Sequence, residues 1–324
     1  MLHTHICDLF GIEHPIINAP MSGGTATADL ATAVSEAGGF GLIGGMTAGG
    51  PEWLREQIHK VRQLTNKPFG VGFISSFPGL DELIKVALEE QVMAVSHSFA
   101  DPTAYIPIAH ATGVKVISQV QTVAQAVVAA QAGVDILVAQ GTEAGGHTGY
   151  SGTLPLVVAV LDIAGDIPVL AAGGIADGRG LAAVLVLGAD GAWMGTRFYA
   201  SRESSGGNWE KQRILEAGTD DTVLTQIYDL TLESPFPRDV GDRVLRNEYT
   251  ASWHGRNEEV IAHREELRTQ VVSAMREGNA HIAAVRAGNA VGIIHEIKPA
   301  AEIVREIVTE AERILRERPG QVLR

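Results

Sequence analysis

Cysteine, basic residues and long apolar runs are all scarce in this chain of 324 residues. The single cysteine, Cys7, excludes an internal disulfide and is typical of a reducing compartment. The first residues form neither the basic nor the apolar segment of a signal peptide, so we expect a cytoplasmic protein. No uncharged apolar run approaches the roughly 18 residues of a transmembrane helix, which argues against a membrane protein.

Basic side chains are outnumbered by acidic ones, 25 to 38, which gives a net charge of −13. A surplus of negative charge repels phosphate backbones and anionic lipids, so the composition argues against a nucleic acid or a membrane as partner. We therefore expect the ligand to be a small molecule. A homodimer is compatible with the sequence.

Aromatic residues are also few, at 5%, although 45% of the residues are hydrophobic. Such an aliphatic core suits parallel strands covered by helices. Eight short apolar runs alternate with amphipathic segments, and they cover residues 15–19, 40–44, 69–74, 92–96, 114–119, 134–139, 168–172 and 191–195. Eight repeats of a strand and a helix predict an α/β fold, a (β/α)8 TIM barrel rather than an open sheet.

The pattern changes after residue 203, where the chain becomes richer in charge and loses the strand alternation. Helices are predicted at 209–217 and 258–277, on either side of Pro235-Phe-Pro237. We predict that residues 1–203 and 287–324 form the barrel, and that residues 204–286 form a small inserted helical lobe over its mouth. A long amphipathic helix at 300–318, stopped by Pro319, is expected to close the barrel.

Two glycine-containing stretches, Ala171-Ala-Gly-Gly-Ile-Ala-Asp-Gly178 and Gly191-Ala-Trp-Met-Gly-Thr-Arg197, follow the last two predicted strands. Barrels usually bind a phosphate with the loops after strands seven and eight. Glycines let backbone N–H groups approach the anion closely, and a following helix adds its partial positive charge. The sequence therefore predicts a phosphorylated cofactor at these two loops.

A histidine stands in a third loop, Glu143-Ala-Gly-Gly-His147, after the sixth strand. In a barrel this end carries the catalytic face. The glycines would bring the backbone close to a flat ring, and His147 would project into the mouth, where an imidazole serves as base, acid or hydrogen-bond donor. We predict a catalytic role for His147.

Other patterns are given structural interpretations. The segment Gly39-Phe-Gly-Leu-Ile-Gly44 matches G-x-G-x-x-G but lies within a strand, so it is not a dinucleotide fingerprint. His3 and His5 have no carboxylate set nearby, so no metal site is predicted. Cys7 precedes the first strand and is expected to be a buried or N-terminal spectator. Asp177 is expected to cap the following helix.

The three strings Glu143-Ala-Gly-Gly-His147, Ala172-Gly-Gly-Ile-Ala-Asp-Gly178 and Met194-Gly-Thr-Arg-Phe198, in this order, closely resemble the nitronate monooxygenase family, formerly called 2-nitropropane dioxygenases. FMN-dependent enoyl-acyl-carrier-protein reductases share the signature. The resemblance runs from about Phe10 to Ser201 and resumes at residues 287–292. It implies a (β/α)8 barrel, non-covalent FMN and a helical second domain over the flavin ring.

Carried over by position, the resemblance also implies a set of cofactor contacts and makes His147 the catalytic histidine. Asn18, Ala19, Pro20, Met21 and Ser22 would line the isoalloxazine, Gln119 and Gln140 would contact the ring and ribityl chain, Gly173, Gly174, Gly195 and Thr196 would hold the phosphate, and Gly72, Gly145, Gly146 and Ala172 would complete the site.

Three positions depart from the family pattern. Gly72 stands where the monooxygenases usually have asparagine, Gln119 where a lysine is common, and Gln140 where an acid is common. A lysine near the pyrimidine edge would stabilise the anionic reduced flavin, so the redox tuning must differ here. Barrels of the IMP dehydrogenase type need a catalytic cysteine after strand six. They are excluded, because the single cysteine of this chain precedes the first strand.

The resemblance implies an FMN-dependent nitronate monooxygenase that oxidises alkyl nitronates with O2 to carbonyl compounds and nitrite. His147 would take the α-proton of a nitroalkane or donate a hydrogen bond to the nitro group. One alternative is an enoyl thioester reductase that uses FMN with NAD(P)H as electron donor. A flavin-free barrel that binds a sugar phosphate is a third interpretation, disfavoured because the predicted strand ends supply no lysine for an aldolase.

Overall fold

In the computed structural model, which describes residues 2–323, eight parallel strands form the predicted barrel. The first nine strands are β1 (Ile16–Asn18), β2 (Gly41–Gly44), β3 (Phe69–Ile74), β4 (Ala94–Ser98), β5 (Lys115–Val120), β6 (Ile136–Gln140), β7 (Gly146–Thr148), β8 (Val169–Ala172) and β9 (Gly191–Met194). All of these except β7 belong to one sheet, in the order β1-β9-β8-β6-β5-β4-β3-β2. A parallel bridge between Ile17 and Phe40 joins β1 to β2 and nearly closes the ring, so the fold class is confirmed.

Alternating side chains of the strands build two apolar layers. Along β6, Ile136 and Val138 belong to the cluster inside the barrel, whereas Leu137 and Ala139 belong to the cluster under the helices. This alternation is the period of two that a strand imposes on its side chains. All five residues of β6 are buried, which explains the continuous apolar runs in the sequence.

The first helix, α1 (His5–Phe10), packs its apolar face against the interior cluster. Phe10 stacks on Phe40 with ring centroids 3.9 Å apart. Cys7, on the same helix, is buried as a free thiol, and its burial raises the pKa of that thiol. A buried neutral thiol is unreactive, which agrees with the prediction that Cys7 takes no part in chemistry.

Helices cover the outside of the barrel. They are α2 (Ala28–Glu36), α3 (Gly50–Leu64), α4 (Leu80–Glu89), α5 (Ile106–Ala111), α6 (Val123–Gln131), α7 (Thr153–Ala164), α8 (Gly178–Leu187), the short α9 (Thr196–Tyr199) and the last helix, α15 (Ala300–Val322). As predicted, α15 returns to the barrel, where it packs on α8 and α2. In residues 2–323, every helix is too short or too polar to cross a lipid bilayer.

Pro319 does not end the last helix, as the sequence analysis had expected. The helix continues to Val322, because the N–H of Leu323 bonds the carbonyl of Pro319 at 2.8 Å and closes one more turn. A proline so near the end removes one backbone donor without interrupting the buried turns before it.

Residues 204–286, the segment predicted to form the lobe and called by that name below, lie between the barrel segments. Its helices are α10 (Asn208–Glu216), α11 (Ile227–Leu232), α12 (Glu248–Trp253), α13 (Asn257–Ala262) and α14 (Arg264–Glu277), and its strands are β10 (Thr222–Thr225) and β11 (Gly241–Leu245). The two strands pair antiparallel, and the sequence analysis did not predict them. The helix expected at 258–277 is divided at His263 into α13 and α14.

The lobe is joined to the barrel by sheet hydrogen bonding. Strand β7, which lies in the loop after β6, pairs antiparallel with β11. Because this pairing crosses the boundaries at 203/204 and 286/287, the division into two domains stays a prediction.

Two local predictions agree with the structure. The side chain of Asp177 accepts hydrogen bonds from the N–H groups of Arg179 and Gly180, which makes it the cap of α8. The G-x-G-x-x-G segment ends in β2, whose four residues are all buried. This burial agrees with the interpretation of the segment as part of a barrel strand.

His97 is a polar side chain that is buried between the barrel and its helices. His97 of β4 stacks on Tyr105, with ring centroids 5.1 Å apart, and its Nδ1 bonds the Ser75 hydroxyl at 2.9 Å. Its Nε2 is buried without a hydrogen-bond partner. Burial lowers the pKa of His97 to about 4, from an ordinary value of 6.5. The imidazole is therefore neutral in the folded protein down to mildly acidic pH.

We predict that His97 makes the fold sensitive to acid. Below pH 6.5 the unfolded imidazole binds a proton that the folded one refuses until about pH 4, so stability falls as the pH is lowered through that window. The loss from this group reaches about 3 kcal/mol at the lower end. Urea unfolding between pH 4 and 7 should therefore show a flatter profile for His97→Asn than for the wild type. The exposed His254→Asn is the matched control, and an unchanged profile in His97→Asn would contradict the prediction.

Candidate active site

A cavity of about 720 Å³ lies at the C-terminal ends of the barrel strands, between the barrel loops and the lobe. Eleven of the sixteen residues predicted for the site line it, and these are Ala19, Pro20, Met21, Ser22, Gln119, Gln140, Gly145, Gly146, His147, Gly195 and Thr196. The C-terminal ends of β5 and β6 and the loops after β1, β6 and β9 supply them, which is the arrangement expected at the catalytic face of a barrel.

The other predicted residues lie beneath or beside this lining. Asn18 is fully buried, and its amide exchanges hydrogen bonds of 2.9 Å with the backbone of Leu42, which fixes β1 against β2. Ala172 belongs to the core inside the barrel. Gly72 is covered by Pro20, because a Cβ at position 72 would come within 2.2 Å of the proline Cγ. Asn18 and Gly72 thus shape the floor of the cavity from below.

The two predicted phosphate loops begin on paired strands. Ala172 of β8 is the register partner of Trp193 of β9, so the turns that follow start side by side. Gly173 and Gly174 have φ values of 100° and 74°, a backbone that other residues adopt only with strain. A Cβ on Gly173 would also come within 2.8 Å of a backbone carbonyl. These turns therefore require glycine.

On the second loop, Gly195 and Thr196 lie at the edge of the cavity. A Cβ on Gly195 would meet only the Cβ of Ala19, at 3.6 Å, so its backbone is open to a ligand. The hydroxyl of Thr196 accepts a hydrogen bond of 3.0 Å from the N–H of Gly288. That bond ties the segment after the lobe to the predicted phosphate loop.

A chain of glutamine amides supports the floor of the site. Gln121 donates to Gln140 at 3.0 Å, and Gln140 in turn donates to the carbonyl of His147 at 3.1 Å. Gln140 therefore positions the backbone of the histidine. Gln119 also lines the cavity, and its amide makes no hydrogen bond to any other part of residues 2–323. Its amide is free to contact a ligand.

His147 is held by a carboxylate from the lobe. Its Nε2 lies 3.0 Å from both carboxylate oxygens of Asp229, a residue of α11. A carboxylate can only accept, so Nε2 carries the proton and the neutral tautomer has its lone pair on Nδ1. Nδ1 makes no hydrogen bond within the described chain. The pair thus has the geometry of a base oriented by an acid.

Aromatic rings enclose the histidine. Phe236 stacks on the imidazole, with centroids 3.3 Å apart and planes 10° from parallel, and Phe99 meets the same ring edge-on at 6.2 Å. Phe77 contacts Phe236 edge-on at 5.0 Å. Phe99 has a φ of 66°, a conformation rare for a bulky residue and typical of functional sites. The rings hold the imidazole in one orientation.

A second carboxylate, Asp242, lies opposite His147 in the register of β11 and β7. His147, Asp229 and Asp242 each offer one potential metal-ligand atom within 4.8 Å of the others. The buried Asp242 is, however, already paired with Arg286, whose Nη2 lies 2.8 Å from its Oδ2. The guanidinium supplies the positive charge that this buried carboxylate needs.

Four residues around the histidine were not predicted from the sequence, and all come from the lobe segment: Asp229, Phe236, Asp242 and Arg286. None stands in a local motif, and each reaches the histidine only through the three-dimensional contact of lobe and barrel. The nearest signal was Pro235-Phe-Pro237, a rigid segment with an aromatic residue between two prolines, which had been interpreted only as a break between helices.

Comparison with known proteins identifies relatives over nearly the whole chain. The family model described as nitronate monooxygenase matches residues 3–81 and 76–310. The nitronate monooxygenase of Pseudomonas aeruginosa is 33% identical, over 93% of this chain and 97% of its own. A Mycobacterium tuberculosis protein named (3aS,4S,5R,7aS)-5-hydroxy-7a-methyl-1-oxo-octahydro-1H-indene-4-carboxyl-CoA dehydrogenase is 34% identical, over 96% of each chain. The structure of FabK from Thermotoga maritima superimposes with a TM-score of 0.89 and 39% identity, over 99% of this chain and 100% of that one.

The close contact at Gly72 gives a prediction about the floor of the cavity. In Gly72→Ala the new methyl group would collide with Pro20 and with the Ser96 hydroxyl at 2.5 Å, so the segment 19–22 must shift. We expect a stability loss of about 1–3 kcal/mol and weaker retention of a flavin at the predicted cofactor site, measured by urea unfolding and by flavin fluorescence during dialysis. Ser96→Ala, which removes a neighbouring atom without a collision, is the control. Wild-type retention of the flavin in Gly72→Ala would show that the floor does not shape the predicted cofactor site.

Proposed function

Because the chain belongs to the nitronate monooxygenase family, we propose that it is an FMN-dependent oxidoreductase that oxidises alkyl nitronates with O2 to carbonyl compounds and nitrite. The observation that carries the proposal is His147, which lines a cavity at the C-terminal end of the barrel strands and is oriented from behind by Asp229. Family membership supplies the class of reaction, and the pair supplies a group able to handle the proton next to a nitro group.

The residues present fit a flavin mononucleotide. Glycine turns at Gly173 and Gly174 and the open backbone of Gly195 offer N–H groups to a phosphate, as glycine-rich barrel loops do. The segment 19–22 and the free amide of Gln119 would contact the ring. When bound, FMN would supply the electron transfer, and the protein would orient the substrate and stabilise charge.

The histidine is arranged as a base. Asp229 keeps the proton on Nε2 and leaves the lone pair on Nδ1, so Nδ1 can take the α-proton of a nitroalkane. The Asp229 carboxylate then stabilises the imidazolium that forms, as the acid does in other histidine–carboxylate pairs. Asp229 is a positioning residue here, since it acts through His147 and not on the substrate.

Aromatic rings from the lobe and from two barrel loops cover the site. Phe236 and Phe99 lie against the imidazole, and Phe77 extends the apolar wall. These rings exclude water from the side of the cavity where a proton would move. Low water content strengthens the interaction of His147 with its carboxylate and with any charge on the substrate.

A second candidate function is the NAD(P)H-dependent reduction of an enoyl thioester, with His147 near the thioester carbonyl. The observation that favours it is the relative from Mycobacterium tuberculosis, whose name gives a CoA substrate and which aligns over 96% of each chain. The uncharged Gln119 and Gln140 at the flavin site also leave the choice of electron donor open on chemical grounds.

Anaerobic mixing distinguishes the two functions. We expect the flavin absorbance of the purified holoenzyme near 450 nm to bleach rapidly with an alkyl nitronate and to remain unchanged with NADH or NADPH. The readout is stopped-flow absorbance without oxygen, followed by nitrite analysis after air is admitted. Rapid bleaching by a nicotinamide with none by a nitronate would replace the monooxygenase with the thioester reductase.

The role of His147 and Asp229 is tested by comparing a neutral nitroalkane with its preformed nitronate, which needs no base. His147→Ala removes the base and should lower nitroalkane turnover by about 10²–10⁴-fold. Asp229→Asn should also lower it, because an amide no longer fixes the tautomer, but by less, because the imidazole is still present. Turnover of the nitronate should fall much less in both variants. The measurement is kcat/KM for nitroethane and ethyl nitronate with FMN content checked. Equal losses for both substrates would exclude proton removal as the role of the pair.

A further inference from the structure

Besides Tyr199, whose pKa is raised by burial, the chargeable side chains that line the cavity are His147, Glu210 and Arg286. Glu210 is already engaged, since it accepts a hydrogen bond of 2.8 Å from the N–H of Gly207 and interacts with the hydroxyl of Tyr199. Arg286 is therefore the permanent positive charge on the described cavity wall. The protein as a whole carries a net charge of −13, so a cation at this place needs an explanation.

Part of the explanation is Asp242, which is completely buried. Arg286 meets it along one edge of the guanidinium, with Nε 3.1 Å from Oδ1 and Nη2 2.8 Å from Oδ2. A bridge between the backbones of Val244 and Arg286 holds the arginine beside the same strand. Asp242 also raises the pKa of Arg286 above its ordinary value, so the guanidinium stays charged.

Asp242 uses only one edge of the arginine. A guanidinium has five N–H donors in a planar fork, and the Nη1/Nη2 edge remains after the Nε/Nη2 edge is occupied. Nη1 makes no hydrogen bond within residues 2–323, and 38% of the side chain is exposed, on the side of the cavity. Arg286 is thus prepared to receive a second pair of oxygens.

A neighbouring arginine shows the contrast. Arg243, on the same strand as Asp242, donates from Nε to the carbonyl of Thr142 at 2.6 Å and from Nη1 to the Thr222 hydroxyl at 3.1 Å. Its remaining Nη2 contacts the Thr142 hydroxyl at 3.3 Å. All three guanidinium nitrogens of Arg243 therefore make hydrogen bonds within the protein, whereas Nη1 of Arg286 remains available on the side of the cavity.

The free edge lies next to the histidine. The side chain of Arg286 runs past Gly146, where a Cβ would be 3.6 Å from the arginine Cδ. Asp242, the partner of Arg286, is the register partner of His147, and their ligand atoms lie within 4.8 Å of each other. A group bound by Arg286 would therefore be within reach of the base.

We propose that Arg286 binds the two coplanar oxygens of an anionic substrate, so that the site selects a nitronate anion over the neutral nitroalkane. This inference rests on the proposed function for the identity of the anion. Two parallel N–H···O contacts from a guanidinium match a planar pair of oxygens in length and direction, and charge strengthens both. A nitronate carries its negative charge on two such oxygens, whereas a nitroalkane is neutral.

A pair of probes that differ only in charge tests the anion site without turnover. Propionate has two charged coplanar oxygens, and propionamide is its neutral isostere. On the holoenzyme, calorimetry should give a lower Kd for propionate than for propionamide. In Arg286→Lys, which keeps the charge but loses the fork, the propionate Kd should rise about 10- to 100-fold, and the propionamide Kd should hardly change. KM for ethyl nitronate should rise by a similar factor, with kcat changed much less.

Two further variants keep the result interpretable. Arg243→Lys makes the same chemical change at an arginine used only by the fold, so it should leave the preference for propionate intact. The double variant Arg286→Gln/Asp242→Asn removes both charges together, so no buried carboxylate is left unpaired. It should fold, retain FMN and bind propionate no better than propionamide.

The outcomes separate the two proposals. A preference for propionate that survives in Arg286→Lys and in the double variant would overturn the anion site, as would equal loss of both probes. If the wild type oxidises no nitronate but shows a propionate preference that depends on Arg286, the anion site stands. In that case only the proposed nitronate oxidation is contradicted, and the substrate is an anion of another kind.

Discussion

The site depends on the pairing of β7 with β11, a ladder of three residue pairs that joins a barrel loop to the lobe. This ladder fixes the backbone of His147 and sets Asp242 opposite it. Without the ladder, the loop after β6 would carry two glycines and a histidine with nothing to orient the ring. With it, the lobe becomes part of the catalytic face, and its side chains reach the histidine at hydrogen-bond distance.

The ladder also explains why so much charge is tolerated there. Two carboxylates and an arginine are gathered around one imidazole, and Asp242 is completely buried. An unpaired buried charge costs several kcal/mol, so each of these groups depends on its partner. Arg286 neutralises Asp242, and His147 gives Asp229 an N–H to accept. Each of these charged groups therefore has its partner only when the lobe and the barrel are in contact. Separating the two would leave buried charges unpaired, so the pairing favours the closed site.

Sequence alone predicted the parts of this structure that obey a local rule. The eight barrel strands were predicted from short apolar runs. The glycine turns and the position of His147 were predicted from the order of these strands. The observed end of a strand differs from the predicted one where polar residues are buried. Strand β4 was expected to end at Ser96 but continues through His97 to Ser98, all of them buried. Nothing in the local pattern reveals that His97 and Ser98 continue the strand.

The lobe resisted prediction for a physical reason. Strand β11 contains Asp242 and Arg243, whose charges obscure the apolar alternation. It pairs with β10 on one side and, on the other, with β7, about 95 residues earlier in the chain. Asp229 and Arg286 are likewise defined by what they meet, and no spacing in the sequence marks them. Contacts across such distances depend on how a segment docks, so they become visible only in three dimensions.

The distribution of charge around the cavity indicates that the barrel and the lobe have different roles in binding. The barrel side offers glycine backbone and the neutral amides of Gln119 and Gln140, whereas the permanent charges near His147 come from Asp229, Asp242 and Arg286 of the lobe segment. Neutral donors suit a cofactor that must hold different charges in its different states. Charged groups suit a substrate whose protonation changes at one carbon. Substrate preference in this protein should therefore be encoded in the lobe, which is the part of the chain with the least recognisable local pattern.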